Sequence, residues 1–108
     1  MERFVKGDVV VLPFPFTDLS TVKKRPALVV SNSKDNNLIL CQITSQQRKE
    51  AVSLKKEDFS SGLLKQSSFI IPSIIFTIEE MNIEYRAGKL KKEKIKEVQD
   101  RLVEIFSK

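Results

Sequence analysis

The sequence predicts a mainly β (α+β) domain: an SH3-like small β-barrel of five to six mostly antiparallel strands with a C-terminal α-helix. Three observations carry that prediction. Short β-branched and apolar runs recur along most of the chain, separated by Pro, Asn, Asp and Ser. From about Lys92 the apolar spacing changes to three and four residues, the period of a helix. Finally, the gaps between the runs leave no room for the crossovers of a parallel sheet, which take a dozen or more residues each. The 108 residues suit one domain, 1–108, with one core.

Asp8-Val9-Val10-Val11-Leu12 reads as a buried strand. Pro13 and Pro15 lack backbone donors and are expected to end regular pairing, leaving a loop from Pro13 to Lys24. Ala27 to Val30 is a second strand, and Asp35-Asn36-Asn37 a turn. In the third strand, Leu38 to Thr44, period-two alternation puts Ile39, Cys41 and Ile43 on one face and Leu40, Gln42 and Thr44 on the other. The first set reads as core, with Cys41 a small buried hydrophobe. A polar segment, Ser45 to Glu50, leads to a short strand at Ala51 to Leu54. Phe69 to Ile71 and Ile74 to Ile78 read as two strands separated by Pro72-Ser73. The helix follows, with Ile95, Val98, Leu102 and Ile105/Phe106 as its apolar stripe and Glu97–Arg101 as an outer-face pair.

Composition removes whole classes of chemistry. Cys41 is the single cysteine and there is no histidine. An internal disulfide, a zinc site of Cys and His, nucleophile–histidine catalysis and a paired-histidine ribonuclease are all excluded. No metal or cofactor site is expected. No apolar run approaches the roughly 20 residues of a membrane helix, and the N-terminus lacks a signal-peptide pattern, so a cytoplasmic protein is expected. The net charge of +5 suits a polyanionic partner. Some of that charge, Arg86, Lys89, Lys91, Lys92, Lys94 and Lys96, gathers where the helix begins and reads as a solvated face.

Two stretches stand out as chemistry. In Lys23-Lys24-Arg25-Pro26-Ala27-Leu28-Val29-Val30-Ser31-Asn32, Pro26 holds Arg25 extended, with its guanidinium at a sheet edge. In Gln42-Ile43-Thr44-Ser45-Gln46, a hydroxyl sits at a strand end. A permanently charged planar fork beside a hydroxyl is a phosphate clamp in outline, and equally a surface arginine and a strand-end threonine.

These stretches, with Lys6-Gly7-Asp8-Val9-Val10, Gly62-Leu63, Ser67-Ser68-Phe69-Ile70, Phe76-Thr77-Ile78 and Gly88-Lys89-Leu90, resemble the ordered signatures of the PemK/MazF toxin family. The resemblance implies a type II toxin: a homodimeric, metal-independent endoribonuclease of the CcdB/MazF-like toxin fold. Such an enzyme cuts single-stranded RNA and is restrained by a cognate antitoxin with an acidic, partly disordered segment. It implies Arg25 and Thr44 as catalytic residues and Ser68 beside the substrate. Lys23, Lys24, Gln42, Ser45 and Gln46 complete the expected substrate-binding set. Lys23 and Lys24 admit two roles, phosphate steering and, less simply, general base. Phe14 and Phe16 admit base stacking or packing; Phe76, Tyr85 and Phe106 read as core or interface. Around Thr17-Asp18-Leu19-Ser20-Thr21-Val22 the chain departs from the family, lacking the usual glycine and glutamate; Asp18 reads as a turn residue or a substitute acid. A gyrase-poisoning toxin of the CcdB type and a non-catalytic RNA- or protein-binding relative are the alternatives.

Overall fold

The computed structural model describes residues 4–14, 23–32 and 35–108; Pro15, Phe16, Asp18 and the rest of the 15–22 segment lie outside them. Seven strands form one antiparallel sheet: β1 (Asp8–Phe14), β2 (Lys23–Asn32), β3 (Asn37–Thr44), β4 (Val52–Leu54), β5 (Phe59–Gly62), β6 (Ser68–Glu79) and β7 (Tyr85–Leu90). Their order is β4-β6-β3-β2-β1-β7-β5, and α1 (Lys92–Phe106) follows. The mainly β, barrel-plus-helix expectation is borne out, with more strands than the five or six expected.

The sheet curls because its two outermost strands are neighbours in sequence. β4 and β5 are joined by a single 3-10 turn at Lys56–Asp58. Helix residue Lys94 fastens this closure, its Nζ donating to the Ser53 carbonyl at 3.0 Å and lying 3.6 Å from the Asp58 carboxylate. Asp58 in turn accepts from the Lys55 N–H at 2.8 Å, and its carbonyl accepts from the Lys91 N–H at 2.8 Å. Lys94 also pairs with Glu97 at 2.8 Å. Arg101 donates to the Glu50 carbonyl, so the expected Glu97–Arg101 pair is replaced by these two contacts.

Both faces of the sheet are packed. On the helix side, Val9, Leu28, Cys41, Ile43, Ile70 and Val98 form one buried cluster, backed by Ile95 and Leu102. On the other, Val10, Leu12, Phe14, Val29, Leu38 and Leu40 form a second, backed by Phe4, Phe76 and Ile83. Leu40 therefore belongs to a core of its own, while Ile39 is only half-buried. Phe14 packs edge-on against Phe76 with ring centroids 5.1 Å apart, which settles it as a packing residue. Tyr85 and Phe106 face outward, 55% and 73% exposed. Burial pushes the Cys41 thiol up to about 11, as expected for a structural cysteine in an apolar setting.

Two prolines behave differently from expectation. Pro13 does not end β1, which pairs with β2 through Phe14. The Val11 carbonyl accepts from Glu84, so alternate residues of β1 aim their backbone groups at β7. Pro13 lies beyond the last β7 pair, and its missing N–H interrupts nothing. Nor does Pro72 divide its segment into separate strands. β6 runs through it as a bulge, the register with β3 jumping from Cys41↔Ile75 to Gln42↔Ile71. The Cys41 thiol lies 3.9 Å from the Pro72 carbonyl, against the bulge.

β5 and β7 were not foreseen, because polar and glycine-containing segments such as Tyr85-Arg86-Ala87-Gly88-Lys89-Leu90 show no apolar alternation. Close approach holds them: a Cβ on Gly88 would lie 2.5 Å from the Ser61 carbonyl oxygen. Charge holds β7 to β1. The Asp8 carboxylate, 1% exposed, lies 3.1 Å from Arg86 Nε and 3.6 Å from Lys89 Nζ, and accepts from the Val5 N–H at 2.8 Å. Lys96 pairs with Asp100 at 3.0 Å. Much of the basic cluster before the helix is thus structural.

Removing the buried carboxylate leaves the Val5 N–H without its acceptor and β7 without its tether. Asp8→Ala is expected to cost about 2–3 kcal/mol in urea denaturation, with Asp8→Asn intermediate. An unchanged midpoint in Asp8→Ala would show that pairing alone holds β7.

Candidate functional site

Pro26 has no N–H to extend the β2–β3 ladder, whose pairing begins at Ala27↔Gln42. Extended two positions past that pair, the same register sets Arg25 opposite Thr44 at an unzipped end of the two strands. Period-two alternation puts them on the face of Ala27 and Leu40, so the second apolar cluster lies beneath them. On the β1 side Leu12 pairs with Arg25, and on the β6 side Phe69 pairs with Thr44.

A cleft of about 490 Å³ opens at this end. Arg25 and Pro26 of β2, with Gln42, Ile43 and Thr44 of β3, form its floor. Ser45, Gln46 and Arg48 of the β3–β4 connection bound it, as do Leu64, Lys65 and Gln66 of the β5–β6 connection, with Ser68 at the start of β6. Of the expected site residues, the structure brings together Arg25, Thr44, Gln42, Ser45, Gln46 and Ser68. Lys23 and Lys24 do not line the cleft. Lys24 Nζ is held by Glu84 at 2.9 Å, and Lys23 is exposed at the opening of β2, across from Phe14.

The polar groups are arranged in a definite sense. Thr44 Oγ1 accepts from the Gln46 N–H at 3.2 Å, which occupies a lone pair and leaves the hydroxyl hydrogen to donate elsewhere. Ser68 Oγ donates to the Gln66 carbonyl at 3.0 Å, so its hydrogen is committed to shaping the loop while its oxygen can still accept. Among the described residues, Arg25 Nε is the one buried side-chain nitrogen or oxygen without a hydrogen-bond partner. Leaving such a donor unmet is costly.

Charge separates this cleft from a second groove of about 210 Å³ beside the end of α1. That groove mixes Glu50 and Glu104 with Arg101 and Lys108. Among the described residues, the larger cleft is lined by Arg25, Arg48 and Lys65 and by no carboxylate. Walls of one sign concentrate counter-charge from solution. Arg48 and Lys65 were not singled out from the sequence, where they are ordinary loop cations; only the fold of the two connections draws them to Arg25. Among the described residues no three of His, Cys, Asp and Glu cluster as metal ligands, and no helix is long and apolar enough to cross a membrane.

Comparison with known proteins agrees with this picture. The family described as PemK-like, MazF-like toxin of type II toxin–antitoxin systems matches residues 5–106. Among solved structures, MazF from Deinococcus radiodurans superposes with a TM-score of 0.76 at 18% identity, covering 100% of both chains. An endoribonuclease from a mycobacterial species, solved with its cognate antitoxin, gives 0.76 at 14% identity over 99% of this chain and 96% of that one. Mycobacterium tuberculosis toxin MazF-mt6 gives 0.70 at 18% identity, covering 93% and 96%. No curated protein matches the chain by sequence.

An unpartnered buried donor is a stability defect that an apolar side chain removes. Arg25→Met is therefore expected to leave the melting temperature unchanged or to raise it, relieving a penalty of about 1–3 kcal/mol. A fall of several degrees by calorimetry would instead assign the guanidinium a structural role.

Proposed function

The chain belongs to the PemK-like, MazF-like family of type II toxin–antitoxin toxins, and on that premise we propose that it is an endoribonuclease that cuts single-stranded RNA without a metal. The observation that carries the reading is the cleft that, among the described residues, Arg25, Arg48 and Lys65 line without a carboxylate. Such a site binds phosphate and stabilises charge building on it. Among the described residues it holds no imidazole or carboxylate to activate its Thr and Ser hydroxyls as nucleophiles, so it suits a substrate that brings its own nucleophile.

RNA does. Its 2′-hydroxyl attacks the adjacent phosphorus, the bond from phosphorus to the 5′-oxygen breaks, and the products are a 2′,3′-cyclic phosphate and a 5′-hydroxyl. A proton leaves the 2′-oxygen and one reaches the 5′-oxygen. Arg25 acts as a donor of two parallel hydrogen bonds to the non-bridging oxygens. Thr44 donates a third through the hydroxyl hydrogen that its bond with Gln46 leaves available. Gln42, Ser45 and Gln46 present amides and a hydroxyl to sugar and base, and Ser68 fixes the loop that bounds the scissile position. Lys24 is engaged by Glu84, which favours steering over proton transfer for this lysine.

The mycobacterial endoribonuclease was solved with its antitoxin, as was a MazE–MazF complex from Deinococcus radiodurans. For this chain, the family membership implies a cognate antitoxin whose acidic, partly disordered segment competes with RNA for the same cleft, and the cations lining the cleft support that reading. The working protein is a cytoplasmic homodimer in this reading, supported by the outward apolar Val103 and Phe106 of α1. Light scattering at micromolar concentration is expected to give twice the 12.4 kDa chain mass; a clean monomer mass counts against it.

The decisive assay is cleavage of a long, unstructured RNA in excess EDTA. Discrete cuts with 5′-hydroxyl ends are expected. Arg25→Ala should lower the rate about 10²–10³-fold and Thr44→Val about 10-fold or more, both variants remaining folded. Well-folded wild-type protein that cuts none of several RNAs would falsify the nuclease reading.

A further inference from the structure

Five cations outside the cleft are held by carboxylates. Lys24 meets Glu84, Arg86 and Lys89 meet Asp8, Lys94 meets Asp58 and Glu97, and Lys96 meets Asp100. Arg48 and Lys65 are set apart by where they lie. Among the described residues neither lies within ion-pair distance of a carboxylate, yet both line one cleft with Arg25. Three cations sharing walls that, among the described residues, carry no acid repel one another.

Topology explains how they meet. β3 and β4 both flank β6, so the 45–51 connection passes over the start of β6 while the 63–67 connection runs into it. Both connections leave the sheet at the end where Arg25 and Thr44 face each other. Arg48 and Lys65 are exposed, whereas Arg25 is half-buried. One cation lies deep and two stand at the rim.

We propose that Arg48 and Lys65 bind the backbone phosphates flanking the scissile one, so that the cleft takes about three consecutive phosphates of a single strand. This assignment rests on the endoribonuclease reading and extends it to residues with no place in the chemical step. Rim cations on flanking phosphates hold ground state and transition state alike, so their effect falls on binding. Arg25, on the reacting phosphate, acts on the rate.

The test measures equilibrium binding and turnover separately. Binding is followed by fluorescence anisotropy of a labelled oligoribonucleotide whose cleavage-site nucleotide is 2′-deoxy, across a range of salt concentrations. For the wild type, log K should fall with log salt at a slope of about −2, from about 0.7 per phosphate neutralised on a single strand. Arg48→Gln and Lys65→Gln should each reduce the slope's magnitude by about 0.7 and weaken binding several-fold, with KM rising and kcat little changed. Arg48→Lys, which keeps the charge, should restore the slope. A structural role for either residue would lower the melting temperature and would not be rescued by charge.

Folded Gln variants that keep the wild-type slope overturn the assignment, leaving Arg48 and Lys65 as solvated surface charges. Variants that lose affinity for an acidic polypeptide such as poly-glutamate but bind RNA as before overturn it too, and assign the rim to a protein partner. A wild type that binds RNA with the expected slope, sensitive to both residues, yet never cuts it supports the phosphate track and overturns the nuclease reading alone.

Discussion

The structure turns on a buried carboxylate at the head of β1. Asp8 is almost wholly removed from water, and a charge there is tolerable only with partners on every side. It finds them in the Val5 N–H, the Arg86 guanidinium and the Lys89 ammonium. The two cations come from β7, a strand with a central glycine and little apolar alternation. Once β7 is tied down, β5 pairs with it, and the 3-10 turn before β5 draws β4 round to the opposite edge. Arg86 also lies 5.3 Å over the Phe4 ring, adding a cation–π contact on the same side. The curl of the sheet is therefore as much an electrostatic arrangement as an apolar one, with Lys94 closing what Asp8 begins.

That curl places chemistry at one end. A proline in a central strand is ordinarily a fault, because it deprives a neighbour of a hydrogen bond. Here Pro26 stops the ladder between β2 and β3 just short of Arg25 and Thr44, and two connections bound the gap. The apolar cluster beneath gives these polar residues a rigid floor, so the guanidinium and the hydroxyl are positioned by packing rather than by each other. Arg25 has a donor with nothing to bind, and Thr44 has its hydroxyl turned by a backbone contact. Both are prepared for a ligand at some expense to the empty protein.

Local pattern explains what could be read from the sequence. The β-branched runs of β1 to β3 and the helical stripe of α1 declare themselves because apolar residues repeat at the period of their own element. Arg25 and Thr44 each sit at the end of such a run, beside a proline or a polar break, but it is the resemblance to the toxin family that pairs them. The rest depended on contacts distant in sequence. β7 is a strand because Asp8, some eighty positions earlier, binds its charges. Leu40 is core because the sheet is covered on both faces, which alternation in one strand cannot reveal. Pro13 is harmless because β7 has already ended, and Arg48 and Lys65 are neighbours only through the crossing of two loops.

The bulge in β6 has a consequence for phase. The register with β3 shifts by three positions across it, an odd number, and side chains alternate with period two. Even-numbered Ile70 before the bulge therefore points to the helix-side cluster, while even-numbered Phe76 and Ile78 after it point to the opposite one. One continuous strand is thus turned over midway along, and its site-bearing half keeps an alternation independent of its far half. Insertions or deletions at Pro72-Ser73-Ile74 come in two kinds. An even change preserves the inversion, and an odd change sends the apolar side chains of one half to the wrong side of the sheet.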